Sequence, residues 1–120
     1  MSDHIEFGKN GEELAQAFLR NLGYDILELN WKFGKNEIDI IAAKDDLIVI
    51  VEVKTRKSNF FGEPEVSVTK SKQRILVRAA NAFLRKNKIS FETRFDVISI
   101  ILTPHNHQIK HIEDAFYPTL

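Results

Sequence analysis

Three charged side chains interrupt two neighbouring apolar segments of the chain. Asp39 lies within residues 37–41 (EIDII), and Glu52 and Lys54 end the Ile- and Val-rich run 48–54. Strands of Ile and Val are typically buried, where a charge needs a compensating partner or a purpose. Two carboxylates are suitable ligands for Mg²⁺ or Mn²⁺, and a lysine ammonium can contact the attacking water or neutralise charge on a phosphate. This pattern predicts a metal-dependent phosphodiesterase site.

Strand geometry tests whether these charges can meet. Side chains alternate faces along a strand, so Glu52 and Lys54 share one face, as do Glu37 and Asp39. A short turn between the two segments makes the strands antiparallel neighbours, and we expect Asp39 and Glu52 to converge at one end. The alternative is that Glu52 and Lys54 have no site role, because a Glu-x-Lys pair on a strand is usually only an ion pair. Glu37 is expected to pair with a surface lysine.

The elements that would position these residues can be read from periodicity. Leu14, Phe18 and Leu22 recur at helical spacing, and Gly23 is a typical C-terminal stop. Strands are predicted at 24–31, 37–43, 47–56, 91–102 and 108–112, the first three forming a meander. An amphipathic helix with basic faces follows the long loop 57–69. The predicted order is α-β-β-β-α-β-β.

Composition limits the class of protein. With 120 residues and 43% apolar content, the chain is expected to form a single domain over residues 1–120. It contains no cysteine, which argues against disulfides and thiolate metal sites. No segment approaches the ~20 apolar residues of a membrane span, and the N-terminus has no secretory pattern, so a cytoplasmic protein without membrane contact is expected.

A net charge of zero hides strong segregation along the chain. Lys/Arg and Asp/Glu number 5 and 11 in residues 1–53, 11 and 3 in residues 54–94, and 1 and 3 in residues 95–120. The three segments therefore carry −6, +8 and −2. Carboxylates beside a basic surface suit a metal-using enzyme that acts on a polyanion, although a basic helix face is also common on soluble proteins.

Further motifs occur in a fixed order. They are Gly8-x-x-Gly11-Glu12-x-x-Ala15, Asn30, Glu37-Ile38-Asp39-Ile40-Ile41, Val51-Glu52-Val53-Lys54-Thr55-Arg56, Gly62-x-Pro64, Lys70 and Arg94-Phe95-Asp96-Val97. Asp39 followed by Glu52-x-Lys54 resembles the PD-(D/E)XK nuclease motif. The whole set resembles the YraN-like family of bacterial proteins, which is similar to Holliday-junction resolvases.

The resemblance implies a restriction-endonuclease-like α/β fold, with an α-β-β-β-α-β core and a central mixed sheet flanked by helices. It also implies a Mg²⁺- or Mn²⁺-dependent deoxyribonuclease in which Asp39, Glu52 and Lys54 are catalytic. Glu12 would be a supporting carboxylate and metal ligand from the first helix. Branched or junction DNA is the substrate expected by analogy, and resolving a symmetric junction would require a homodimer.

Glu12 has two interpretations. Asn10 followed by Glu13 is typical of a helix-capping pair, and a carboxylate in the first helical turn also favours the helix dipole. Helical geometry nevertheless aligns Glu12 with Ala15 and Leu19 at the edge of the buried stripe, so that Glu12 can reach inward. Its site role depends mainly on the family resemblance.

Basic residues near the predicted site are expected to contact the DNA backbone. They are Arg56, Lys57, Lys70, Lys72 and Arg74. Gln73 could position the attacking water, although a polar residue in a first helical turn is more often solvated. Phe60 and Phe61 could stack on unpaired bases, or they could anchor the loop or a dimer contact.

The histidines near the C-terminus do not indicate a zinc site. His105, His107 and His111 lie among turn residues without the spacing of other ligands, and exposed histidines are common. Asp96 lies in an apolar strand beside Arg94, and we expect a buried pair or a structural carboxylate rather than a metal ligand.

The first functional hypothesis is therefore a metal-dependent DNA nuclease. The alternative is a non-catalytic DNA-binding accessory protein on a nuclease scaffold, acting in DNA repair, recombination or uptake. A third hypothesis, a partner-binding domain, would predict no affinity for DNA.

Overall fold

Seven elements follow one another in the predicted order within residues 3–57 and 67–117, which the computed structural model describes. They are α1 (Asp3–Asn21), β1 (Asp25–Phe33), β2 (Asn36–Lys44), β3 (Leu47–Lys57), α2 (Lys70–Lys86), β4 (Glu92–Leu102) and β5 (His107–Phe116). The predicted order is confirmed, including the meander of β1, β2 and β3.

The strands form one mixed sheet in the order β1-β2-β3-β4-β5. The meander is antiparallel throughout, β3 and β4 are parallel, and β4 and β5 are antiparallel. Parallel neighbours need a long crossover, which here contains α2. The mixed α/β architecture with a central sheet is therefore confirmed.

The two helices cover opposite faces of the sheet. Leu19 of α1 packs in the same apolar cluster as Val49, whereas Phe83 of α2 packs in a second cluster with the adjacent Ile50. Successive β3 residues thus point into different layers, as strand geometry requires, and the apolar run is explained by burial on both faces. Neither helix in the described ranges is long and apolar enough to cross a membrane.

The first helix differs from the prediction at its start and agrees with it at its end. It begins at Asp3, so Asn10 lies inside the helix, and the capping interpretation of Asn10 and Glu13 does not hold. Gly23 terminates it as expected, with a φ of 94° that favours glycine. The backbone N–H of Tyr24 donates to Leu19 O at 3.0 Å, which closes the last turn.

The last strand is longer than predicted. It runs to Phe116, which pairs with Phe95, whereas the apolar pattern ended at Ile112. A register shift opposite Phe95 and Val97 accommodates extra β5 residues, and Asp114 lies there with a φ of 56°. The backbone N–H of Asp114 donates to Asp96 Oδ1 at 3.1 Å. This bulge hides the strand continuation from a simple alternation pattern.

Candidate functional site

The sheet forks between β2 and β3. Their pairing ends at Ile40 and Val51, while β2 continues to pair with β1 and β3 with β4. Asp39 and Glu52 are the next residue on each strand beyond that last pair. Asp39 Oδ2 accepts a 2.8 Å hydrogen bond from the backbone N–H of Val53. A side-chain carboxylate therefore replaces a main-chain acceptor at the fork.

The carboxyl groups of Asp39 and Glu52 face one another across the fork and interact with each other. The pKa of Asp39 is raised to about 8, chiefly by burial and then by the hydrogen bond to Glu52 and its charge, while the Val53 N–H opposes the shift. The Glu52 side chain is only 14% exposed. Two carboxylates this close cannot both ionise without cost unless a cation lies between them. The predicted convergence of these residues is observed.

A close contact between α1 and β3 brings Glu12 toward the fork. A Cβ atom built on Gly11 would lie 2.0 Å from Thr55 Oγ1, so any larger residue would push the helix away from the strand. Glu12 is half-buried and Glu13 is exposed, while Ala15 and Leu19 are fully buried. The prediction that Glu12 reaches inward is confirmed.

Asn30 holds Glu12 in place. With its amide nitrogen turned toward the carboxylates, Asn30 donates to Glu12 Oε1 at 3.0 Å and to Glu37 Oε1 at 3.1 Å. Burial raises the pKa of Glu12, the Asn30 hydrogen bond lowers it, and the charge of Glu37 raises it. Asn30 has a φ of 49°, a conformation that Asn tolerates better than most residues. Glu37 also pairs with Lys32, as expected for a surface lysine.

Two lysines lie on the β3–α2 side of the fork. The Lys54 ammonium donates to the backbone carbonyl of Ser67, just before α2. Lys72 Nζ lies 3.7 Å from Glu52 Oε2. An ammonium has three donors, so Lys54 can keep its contact with Ser67 and still donate to a phosphate or a water. Lys72 was predicted to contact DNA, and the structure places it against a candidate metal ligand.

The remaining predicted DNA contacts fall into two groups. Arg56 and Lys57 end β3, where they pair with β4 residues in the sheet. Lys70 and Arg74 line a pocket on α2, whose other lining residues are Gln73, Val77, Arg78 and Tyr117. Gln73 donates to Val68 O at 2.8 Å, so its side chain holds the chain entering α2. Phe60 and Phe61 lie outside the described residues.

Asp96 is a buried structural carboxylate, as expected. It accepts two 2.8 Å hydrogen bonds from Arg94, and His111 Nε2 lies 2.7 Å from its Oδ2. Burial opposes its ionisation, but His111, Arg94 and the Asp114 N–H together leave the pKa of Asp96 below its usual value. The His111 side chain is 7% exposed, so the expectation of an exposed histidine is wrong at this position.

The donor set can be compared with the needs of a divalent cation. Within residues 3–57 and 67–117, no group of three or more His, Cys, Asp or Glu side chains is arranged to hold a metal ion. The fork instead supplies two contacting carboxylates, with Glu12 influencing Asp39 through its charge. Mg²⁺ commonly takes one or two protein carboxylates and completes its shell with water and substrate phosphate. The Asp39–Glu52 pair fits that pattern.

Several features of this site were not predicted. The amide bridge of Asn30, the approach of Lys72 to Glu52 and the lining roles of Arg78 and Tyr117 depend on tertiary contacts. Asn30 was part of the motif set, but a left-handed backbone conformation cannot be read from one asparagine in a strand.

Comparison with known proteins shows the family. A model of the uncharacterised protein family UPF0102 matches residues 11–100. A UPF0102 protein of Flavobacterium psychrophilum is 48% identical over 117 residues, covering 98% of each chain. Another, of Bacteroides thetaiotaomicron, is 46% identical over 120 residues, covering 100% of this chain and 99% of the relative. The chain belongs to the UPF0102 family, which confirms the YraN-like resemblance.

Proposed function

We propose that this member of the UPF0102 family is a metal-dependent DNA endonuclease with a restriction-endonuclease-like PD-(D/E)XK core. The observation that carries the proposal is the contact between the Asp39 and Glu52 carboxyl groups at the fork of the sheet. A structural role would favour a carboxylate paired with a cation, as Asp96 is with Arg94. Glu52 has Lys72 at 3.7 Å, but Asp39 faces a second half-buried carboxyl group instead of a cation, which is typical of a site that binds a cation.

Asp39 and Glu52 would hold Mg²⁺ or Mn²⁺, with Glu12 as a supporting carboxylate. The cation would supply charge stabilisation at the phosphate and a more acidic water. The N–H of Val53 fixes Asp39 against β3, and Lys72 lies beside Glu52, so both carboxylates have defined positions. Preorganised ligands lose little freedom when they bind.

Lys54 would act on the substrate side of the same site. Its ammonium is anchored at Ser67, and its remaining donors can contact a phosphate oxygen or orient the attacking water. Glu12 can accept a proton or a hydrogen bond from water, since its oxygens are not both used by Asn30. The chain thus offers a base in Glu12, a positive charge in Lys54, and two metal ligands around the fork.

Lys70 and Arg74 would contact the DNA backbone beside the site, together with Arg56 and Lys57 at the end of β3. These cations balance the acidic N-terminal half, and they would make affinity for DNA fall with salt. Branched DNA is the substrate class that we favour, by analogy with resolvases. Cutting two strands of a symmetric junction would require two copies of the site, hence a homodimer.

A DNA-binding accessory protein is the second candidate. It is favoured by the absence of a ready three-ligand group among the described residues and by the engagement of Lys54 with Ser67. Such a protein would bind DNA in repair, recombination or uptake without cutting it. The two candidates differ in one readout, because only the nuclease gives metal-dependent products.

The test is cleavage of labelled four-way, flapped, duplex and single-stranded DNA with Mg²⁺, Mn²⁺ or EDTA. We expect metal-dependent products from the wild type, and a loss of at least about a hundredfold in rate in Glu52→Ala and Lys54→Ala. Glu92→Ala, which changes an exposed carboxylate at the start of β4, is the matched control and should cleave normally. Equal cleavage by all variants would indicate a contaminating nuclease, and binding without products would favour the accessory protein.

A further inference from the structure

A pocket of about 220 Å³ lies between α2 and the end of β5, outside the carboxylate fork. Its cations are Lys70, Arg74 and Arg78, which follow one another at intervals of four residues. That interval keeps them along one side of the helix, in a row roughly 12 Å long. α2 spans Lys70–Lys86 and contains no acidic residue, so its own side chains do not neutralise the row.

An aromatic ring also lines the pocket. Tyr117 is 68% exposed, and it lines the pocket together with Val77, a half-buried residue of α2. An exposed tyrosine beside a row of cations provides a flat apolar surface and positive charge in one place. Nucleotides present the same combination of a flat base and an anionic phosphate.

The ring is held by a short chain of hydrogen bonds. The Tyr117 hydroxyl donates to Asp114 Oδ2 at 3.0 Å, and the backbone N–H of Asp114 donates to buried Asp96. The bond to Asp114 and its charge raise the pKa of the Tyr117 hydroxyl, so the ring stays neutral. The Asp114 carboxylate therefore lies beside the Tyr117 hydroxyl, and its Oδ2 accepts that hydrogen bond.

We propose that this pocket binds an unpaired nucleotide of the DNA substrate, with the base stacked on Tyr117 and the backbone phosphates on Lys70, Arg74 and Arg78. Gln73, whose side-chain amide donates to Val68 O, also lines the pocket. This inference rests on the proposed function, because it assumes that the substrate is DNA.

The pocket therefore selects the structure of the DNA. Bases inside a duplex are stacked on each other and cannot lie on a protein ring without being unstacked. A single-stranded tail or an opened junction offers a base at no such cost. Because α2 also carries Lys72, which touches Glu52, one helix connects the pocket to the carboxylate fork.

The test measures binding of a fluorescent thymidine oligonucleotide by anisotropy, in EDTA so that nothing is cleaved. Tyr117→Ala should weaken single-strand binding about fivefold or more, while Tyr117→Phe should retain it because stacking needs only the ring. Arg78→Gln should weaken binding and flatten its salt dependence. Arg85→Gln removes a cation from the last turn of the same helix, outside the pocket lining, and is the matched control.

Three results would overturn the inference. They are no single-strand binding by the wild type, equal binding by Tyr117→Ala and the wild type, or equal losses in Arg78→Gln and Arg85→Gln. Thermal melting of each variant separates these outcomes from misfolding, and Tyr117→Phe repeats the comparison with a minimal change. If single-strand binding fails, metal-dependent cleavage of duplex DNA can still be measured. The inference and the proposed function can therefore fail independently.

Discussion

Asp39 Oδ2 accepts a 2.8 Å hydrogen bond from the backbone N–H of Val53, two residues beyond the last β3 residue that pairs with β2. The carboxylate is therefore tied to β3 although Asp39 belongs to β2. It cannot rotate away from Glu52 without leaving a backbone donor unpaired, which is costly when buried. The fold thus holds two carboxyl groups together, and measurable consequences follow for stability and metal binding.

Asp39→Asn should stabilise the metal-free protein at alkaline pH. The pKa of Asp39 is about 8 in the folded chain against an ordinary value of 3.8, so folding favours the protonated form. The stability that the folded state gains from this preference is fully present below pH 3.8 and is lost as pH rises toward 8. Asn keeps an acceptor for Val53 and can donate to Glu52. We expect a gain of about 1–2 kcal/mol at pH 9, or about 4–8 °C in Tm, shrinking toward pH 5.

Thermal melting in EDTA from pH 5 to pH 9 checks this expectation. Asp25→Asn, an exposed change at the start of β1, should leave the curve unchanged at every pH. A wild type that equals or exceeds Asp39→Asn in stability at pH 9 would show that the two carboxyl groups do not repel one another in the folded state.

Asn30→Gly should raise the pKa of Glu12. The substitution keeps a residue that tolerates a φ of 49° and removes the amide that lowers this pKa, leaving burial and the Glu37 charge unopposed. Titration of the Glu12 carboxyl carbon by NMR measures the shift. Asp45→Gly makes the same kind of change at another left-handed residue, with a φ of 55°, and should not move Glu12. An unchanged Glu12 pKa in Asn30→Gly would show that the Asn30 amide does not hydrogen-bond to Glu12.

Gly11→Ala should destabilise the fold by about 1–3 kcal/mol, since a new Cβ would lie 2.0 Å from Thr55 Oγ1. Alanine has the higher helix propensity, so an isolated helix would instead gain stability. Adding Thr55→Ala removes the nearest atoms and should recover part of the loss. Denaturant unfolding of the single and double variants measures both effects, and a neutral Gly11→Ala would mean that α1 is not pressed against β3.

Asp96→Asn should cost about 3 kcal/mol at neutral pH, because Arg94 would lose its fully buried charged partner and keep only the exposed Glu113. The pKa of Asp96 is lowered on folding, so its contribution to stability is present above the ordinary pKa of 3.8 and is lost as pH falls through the lower folded value. The difference between the variant and the wild type should therefore narrow in acid. Urea unfolding at pH 7 and pH 3 measures this stability difference. A difference that stays constant would show that Asp96 does not stabilise the fold as an ionised carboxylate.

Much of the fold was predictable because its apolar periods are regular. The helical spacing of Leu14 and Phe18 and the buried runs of β2 and β3 indicate their elements directly. The end of β5 was not predictable, since the bulge at Asp114 depends on a hydrogen bond to Asp96 on another strand. The start of α1 was not predictable either, because Asn10 has the type of a capping residue but lies within the helix.

The candidate site was predictable to the level of its carboxylates. Alternation placed Glu52 and Lys54 on one face, and the short β2–β3 turn brought Asp39 to Glu52. Alternation could not show the fork, which arises where β2 and β3 stop pairing, nor the contact of Lys54 with Ser67. Such contacts join residues that are distant in sequence, and no local pattern encodes them.

The central claim is that Asp39 and Glu52 share a divalent cation, and paramagnetic broadening by Mn²⁺ tests it most directly. Mn²⁺ added to labelled protein should first broaden the backbone amide signals of Ile40 and Val53, which flank the fork. Glu52→Gln should remove this effect at the same Mn²⁺ concentration, whereas Glu92→Gln should retain it. Broadening centred elsewhere, such as the acidic Asp45–Asp46 turn, or unchanged broadening in Glu52→Gln, would contradict the claim.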